Sequence, residues 1–157
     1  MYVRIKEILT RQKMGLFMLE TLLQEEFAAL RSRDTSKVSS LEFSIQELMR
    51  QLLNEKRSLR KILNEGGYAS LKEFVLQTEG EEQQELIGLV RAIREYEQNC
   101  AVKAEQNAEL AEALADQAGK LVRFLHEKLV PKTREIYSPR GKWRHVSPGA
   151  SLVRGCL

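Results

Sequence analysis

The chain has 157 residues, of which 43% are apolar, 30% charged and 6% aromatic, with three prolines, and its length fits one domain. That balance suits long amphipathic helices and supplies enough apolar surface for a core. It excludes wholesale disorder and a β-sandwich, which needs more aromatic and β-branched residues. The formal net charge of +3 hides an asymmetry: residues 1–78 carry 13 basic and 10 acidic groups, residues 79–119 carry 3 and 10, and residues 120–157 carry 9 and 2. A basic end follows an acidic middle; solubility is its first reading and an anionic partner its second.

The N-terminal stretch sets Arg4, Lys6, Arg11 and Lys13 among its apolar residues, so it does not read as a signal peptide. No run approaches the roughly 20 apolar residues that cross a bilayer, so no membrane insertion is expected. Cys100 and Cys156 match neither a metal nor a redox spacing, which points to a reduced, cytoplasmic protein.

Taken in order, Ile5, Ile8, Leu9, Leu16, Leu19, Leu22, Leu23, Phe27 and Leu30 recur at helical spacing and predict a first helix over about 3–33. Asp34 and Thr35 offer N-cap oxygens for a second helix. Its seam is Val38, Leu41, Ile45, Leu48, Leu52, Leu59 and Ile62, a heptad pattern with one gap at Glu55 and Lys56. Those two charged residues are expected to face a wetter stretch or each other's partners. Gly66-Gly67 ends the helix. Ser70 and Glu73 form a capping box that opens a short helix with Leu71, Phe74, Val75 and Leu76, closed by Gly80.

From about 81 to 130 there is no proline. Leu86, Ile93, Cys100, Asn107, Leu114 and Leu121 share one heptad position; Leu89, Tyr96, Lys103, Leu110, Gln117 and Phe124 share its partner. Alanines 101, 104, 108, 111, 113, 115 and 118 favour helix and permit a neighbouring helix to come close. At 1.5 Å per residue such a helix runs roughly 75 Å, ending at Pro131. Asn107 at a core position has two readings, a buried residue that fixes register or a locally exposed face. Lys132 to Tyr137 is read as a short continuing helix, Ser138-Pro139-Arg140-Gly141 as a turn, and the rest as frayed. The expected fold class is all-α: an elongated antiparallel bundle of three long helices plus a short one, with coiled-coil-like packing. Residues 1–143 form one helical domain in this reading, and 144–157 a flexible tail.

The chemistry of catalysis is missing. With only His126 and His145 and two isolated cysteines there is no credible metal site, and no Gly-rich phosphate loop precedes a helix. Carboxylate pairs such as Glu81-Glu82 and Glu105/Glu109 lie in a solvated stretch without the dry pocket that acid–base catalysis needs. His126 reads as a surface residue near a helix C-terminus. Neither enzyme activity nor a cofactor is expected. The candidate functional residues are instead apolar: Leu121, Phe124, Leu125 and Leu129 near the end of the long helix, then Ile136, Tyr137 and Trp143. For Leu121 and Phe124 packing on the first two helices is the favoured reading and partner contact the other. For Ile136, Tyr137 and Trp143 partner contact is favoured, because they lie beyond the proline with little core to join.

The heptad-patterned hairpin, the run Ala104-Glu105-Gln106-Asn107-Ala108-Glu109-Leu110 with the following Leu114 and Leu121, and the Ile136-Tyr137-Ser138-Pro139-Arg140-Gly141 turn give the chain a family look. Over most of residues 5–143 it resembles the FlgN family of flagellar type III export chaperones. The resemblance implies a cytoplasmic chaperone that binds the C-terminal helical region of hook–filament junction proteins, prevents their premature assembly and helps deliver them to the export apparatus, without a nucleotide. Laying an aggregation-prone amphipathic helix on a helical partner fits that role physically. Two other classes compete. One is a structural or tethering coiled coil that uses the same seam for self-association. The other is a nucleic-acid binder using the basic end, where only Lys132/Arg134 and Arg140/Lys142/Arg144 cluster and no nucleic-acid-binding fold is recognisable.

Overall fold

The computed structural model describes residues 1–129 together with the backbone of 136–137 and 143–144. Four helices follow in order: α1 (Tyr2–Ser32), α2 (Thr35–Glu65), α3 (Leu71–Gln77) and α4 (Gly80–Leu129). Two-residue strands β1 (Ile136–Tyr137) and β2 (Trp143–Arg144) then pair antiparallel, Ile136 opposite Arg144 and Tyr137 opposite Trp143. The helix expected over Lys132 to Tyr137 is therefore corrected at its end, where Ile136 and Tyr137 pair as a strand; the expected turn at 138–141 and the tail after 144 lie outside the described residues. The fold class is all-α apart from this short ladder. The chain divides into two compact units, Met1–Ala111 and Glu112–Leu157, with the division falling inside α4.

In the first unit the turn between α1 and α2 is made without glycine. Arg33 takes a left-handed backbone (φ 57°), and the amides of Arg33 and Asp34 donate to the carbonyls of Leu30 and Ala29. These two bonds satisfy the last orphan carbonyls of α1 in a Schellman closure. Asp34 then caps α2, its side chain accepting from the Lys37 amide at 3.0 Å. At the far end of α2 the same closure recurs with Gly67 at φ 82°: its amide donates to Asn64 and that of Tyr68 to Leu63. Ser70 accepts from the Glu73 amide, while the Glu73 carboxylate accepts from the amide of Ala69, one residue earlier than the usual capping box.

Helix directions follow from which residues meet. Arg11 grips Glu55 with two bonds of 3.0 Å, and Gly15 lies against Leu52, so α1 and α2 are antiparallel. A Cβ on Gly15 would sit 2.8 Å from Leu52 Cδ2, so a larger residue there would make the end of that side chain shift. Along α4 the partners rise with α1: Tyr2 and Lys6 bond Glu85, the Cys100 thiol donates to the Leu16 carbonyl, and Asn107 donates to the Leu23 carbonyl. These two helices are thus parallel, and the last two pairs hold one register a full heptad apart. Lys56 bonds Glu97 and ties α2 to α4. The gap residues Glu55 and Lys56 both therefore reach a neighbouring helix.

The core joins Ile5, Leu9, Leu16, Leu19 and Leu23 of α1 to Ile45, Leu59 and Leu63 of α2, Phe74 of α3, and Leu86, Ile93 and Cys100 of α4. Tyr68 meets Phe74 edge-to-face at 5.1 Å, which packs α3 onto the connection. Several expected seam residues differ. Phe27 and Leu76 are exposed; Leu63 is buried in preference to its neighbour Ile62; and Gln12, a polar residue, takes a core position. The heptad step 9–12–16 places Gln12 on the seam regardless of its polarity. The seven alanines from 101 to 118 are all exposed, so in this chain no helix covers them among the described residues.

Candidate protein-binding site

One heptad row of α4 organises the site. Leu86, Ile93, Cys100 and Asn107 are buried, Leu114 is half-buried, and Leu121 is 57% exposed. The partner row does the same: Leu89, Tyr96, Lys103 and Leu110 are half-buried, while Gln117 and Phe124 are exposed. The periodicity that builds a core in the first unit continues past Ala111 as an apolar face in water.

In the second unit, Leu121, Val122, Phe124, Leu125 and Leu129 are all exposed, between 43% and 66%. Leu121 and Phe124, for which packing on the first two helices was the favoured reading, are among these exposed residues. At 100° per residue these five side chains share one broad face over three turns. Val122, which is not among the residues expected from the sequence, widens the same face. Basic residues flank the stripe: Lys120 pairs with Asp116 at 2.7 Å, Lys128 stands 5.8 Å from the centre of the Phe124 ring, and Arg123 and His126 lie in the same turns. Of Ile136, Tyr137 and Trp143, the backbone pairing in β1 and β2 is described; their side chains lie outside the described residues.

Such a surface has the makings of a helix receptor. An amphipathic helix laid on it would bury its apolar side, and the surrounding cations would meet acidic groups on its flanks. Among the described residues no three His, Cys, Asp or Glu side chains gather to hold a metal. Cys100 donates to the Leu16 carbonyl, and burial pushes its thiol up, away from the reactive thiolate. No helix among the described residues is long and apolar enough to cross a membrane.

The charged groups that show clear shifts are structural. Lys6 and Tyr2 hydrogen-bond Glu85 and hold its carboxyl below the usual range. Arg50 and Gln51 hold Glu47 down to about 2 on the surface of α2. Neither lies in the 121–129 stripe.

No curated protein and no solved structure matches this chain. The sequence profile described as FlgN protein matches residues 1–145, which takes in all four helices and both strands. By that match the chain belongs to the FlgN family, a family of flagellar export chaperones.

Proposed function

We propose that the chain is a cytoplasmic, non-enzymatic chaperone that receives the C-terminal amphipathic helix of a hook–filament junction protein on the stripe Leu121, Phe124, Leu125 and Leu129, with Ile136, Tyr137 and Trp143 adding contacts. Covering that helix keeps the client from assembling early, and release at the export apparatus frees it. No cofactor takes part. The observation that carries this reading is the exposure of the stripe on a helix of a FlgN-family chain. A row of large apolar side chains held in water is unfavourable unless a partner removes it.

The test is binding of purified junction protein by calorimetry. Leu121→Ser together with Phe124→Ser is expected to weaken binding at least tenfold, about 1.4 kcal/mol, with helicity unchanged. Truncation after Val130 is expected to do the same if Ile136, Tyr137 and Trp143 contribute, and Tyr137→Ala and Trp143→Ala to reproduce part of the loss. Unchanged affinity in the double variant would remove the client from the stripe. The same exposure also favours a tethering coiled coil that pairs with itself; light scattering that gave a stable dimer dissolved by Leu121→Ser would favour that reading instead.

A further inference from the structure

We propose that the first unit carries a second helix-docking site, a groove between α2 and α4 that takes a three-turn amphipathic helix of another protein, acidic in its first turn and basic in its last. This proposal does not rest on the client site at 121–129. The groove has a volume of about 660 Å³ and is lined by three helices. Its floor runs on α1 from Gln12 to Leu23, roughly 16 Å at 1.5 Å per residue, the length of three helical turns. Its walls are Met49 and Leu53 of α2 and Ala101 and Ala104 of α4, all exposed.

Helical walls offer no free backbone edge, so an extended strand has nothing to pair with; side-chain ridges of a helix fit instead. The alanines shorten one wall and admit a helix close to the floor. A small fourth helix would thus complete the packing that α2 and α4 leave open above α1.

Two features specify the occupant. Gln12 is only 3% exposed, lines the groove, and has a side-chain Nε2 without a hydrogen-bond partner. A buried donor left unsatisfied is unfavourable, so an occupant with a hydroxyl, amide or carboxylate oxygen above it gains a bond. Charge supplies direction. Of the charged lining residues, Arg50 pairs with Glu47 and Lys56 with Glu97; beyond the lining at the Gln12 end, the same helix faces continue one turn on in the exposed Arg57, Arg60 and Arg94. At the Leu23 end stand the exposed Glu42 and Glu105. A helix whose N-terminal turn is acidic and whose C-terminal turn is basic meets opposite charge at both ends, running parallel to α1 and α4. The chain's own exposed apolar segment does not qualify: 121–129 carries Arg123 in its first turn and is preceded by Lys120, and both would face the basic end.

The experiment uses the full chain and two labelled synthetic helical peptides of about 14 residues, four turns. Both carry leucines on one face and a serine placed over Gln12. One has glutamates first and lysines last; the other has them exchanged. Fluorescence anisotropy is expected to give at least tenfold tighter binding for the acid-first peptide. Ala104→Trp, which fills the groove from an exposed position, is expected to abolish it, as is Leu53→Glu, with circular dichroism unchanged in both. Arg57→Glu with Arg60→Glu is expected to abolish the preference, since both ends of the groove then carry acidic groups. Leu121→Ser with Phe124→Ser is expected to leave it untouched, which separates this site from the client stripe. Equal affinity for the two peptides, or indifference to both groove variants, would overturn the proposal. So would a dimer in light scattering that Ala104→Trp dissolves, since the occupant would then be a second copy.

Discussion

Two buried polar side chains behave differently. Asn107 is 5% exposed, and its Nδ2 donates to the Leu23 carbonyl at 2.9 Å and to Glu26 at 2.6 Å. Of its two readings, the buried one holds. Asn107→Ala removes both bonds and leaves a small cavity, so we expect a loss of about 1–2 kcal/mol in urea unfolding. Gln12 is the opposite case. Its donor has no partner, so Gln12→Leu is expected to raise the thermal midpoint, by about 1 kcal/mol of stability, while weakening whatever helix enters the groove. A gain in both would mean the donor serves no partner. Asn107 was legible because it interrupts a heptad row of apolar residues. Gln12 sits as regularly between Leu9 and Leu16, yet a glutamine in a helix is ordinarily read as solvated; only the packing of three helices around it decides that it is not.

Helix ends and helix pairs form the next scale. Asp34, Gly66-Gly67 and Ser70 were legible as caps because each works through a short-range bond between residues three to five apart. Arg33 was not, since an arginine carries no signal of a left-handed backbone. Gly67→Ala is expected to cost about 1 kcal/mol, measured as a lower urea midpoint at constant slope, because a Cβ is disfavoured at φ 82°. Ser70→Ala is expected to cost about 1 kcal/mol by leaving the Glu73 amide without its side-chain acceptor. The closeness of Leu52 to Gly15 was equally hidden, because the two come from distant parts of the chain. The charged gap in α2 was visible in sequence, whereas its partners Arg11 and Glu97 emerge only when the helices assemble.

For the whole molecule, the ties between sequence-distant helices include exposed ion pairs, and these give stability a pH dependence. Glu85 lies beside Lys6 and Tyr2 and is held below its ordinary range in the folded chain. Its contribution is therefore present above the ordinary carboxylate range and is lost as pH falls through the depressed folded value. Glu85→Gln is expected to lower the thermal midpoint slightly at neutral pH and to lower it less in acid, once the pH has fallen through the depressed folded value. An equal drop at neutral and acid pH would show that shape rather than charge matters there. Salt is expected to shrink the neutral-pH difference, as it does for any exposed pair.

What the sequence determined by itself was the helices, much of their seams, most of their caps and a resemblance that the family match supports. These depend on periodicity and on neighbours a few residues apart, both written along the chain. What only the tertiary structure decided was which parts of each seam are used. Leu86 and Leu121 occupy the same heptad position in one unbroken helix, yet the first is fully buried and the second stands in water. Periodicity says which side of a helix is apolar and is silent on whether another helix lies against it. For the same reason the alanines and the groove above Gln12 escaped the sequence: an uncovered face is a property of the arrangement of three helices, and no single helix records it.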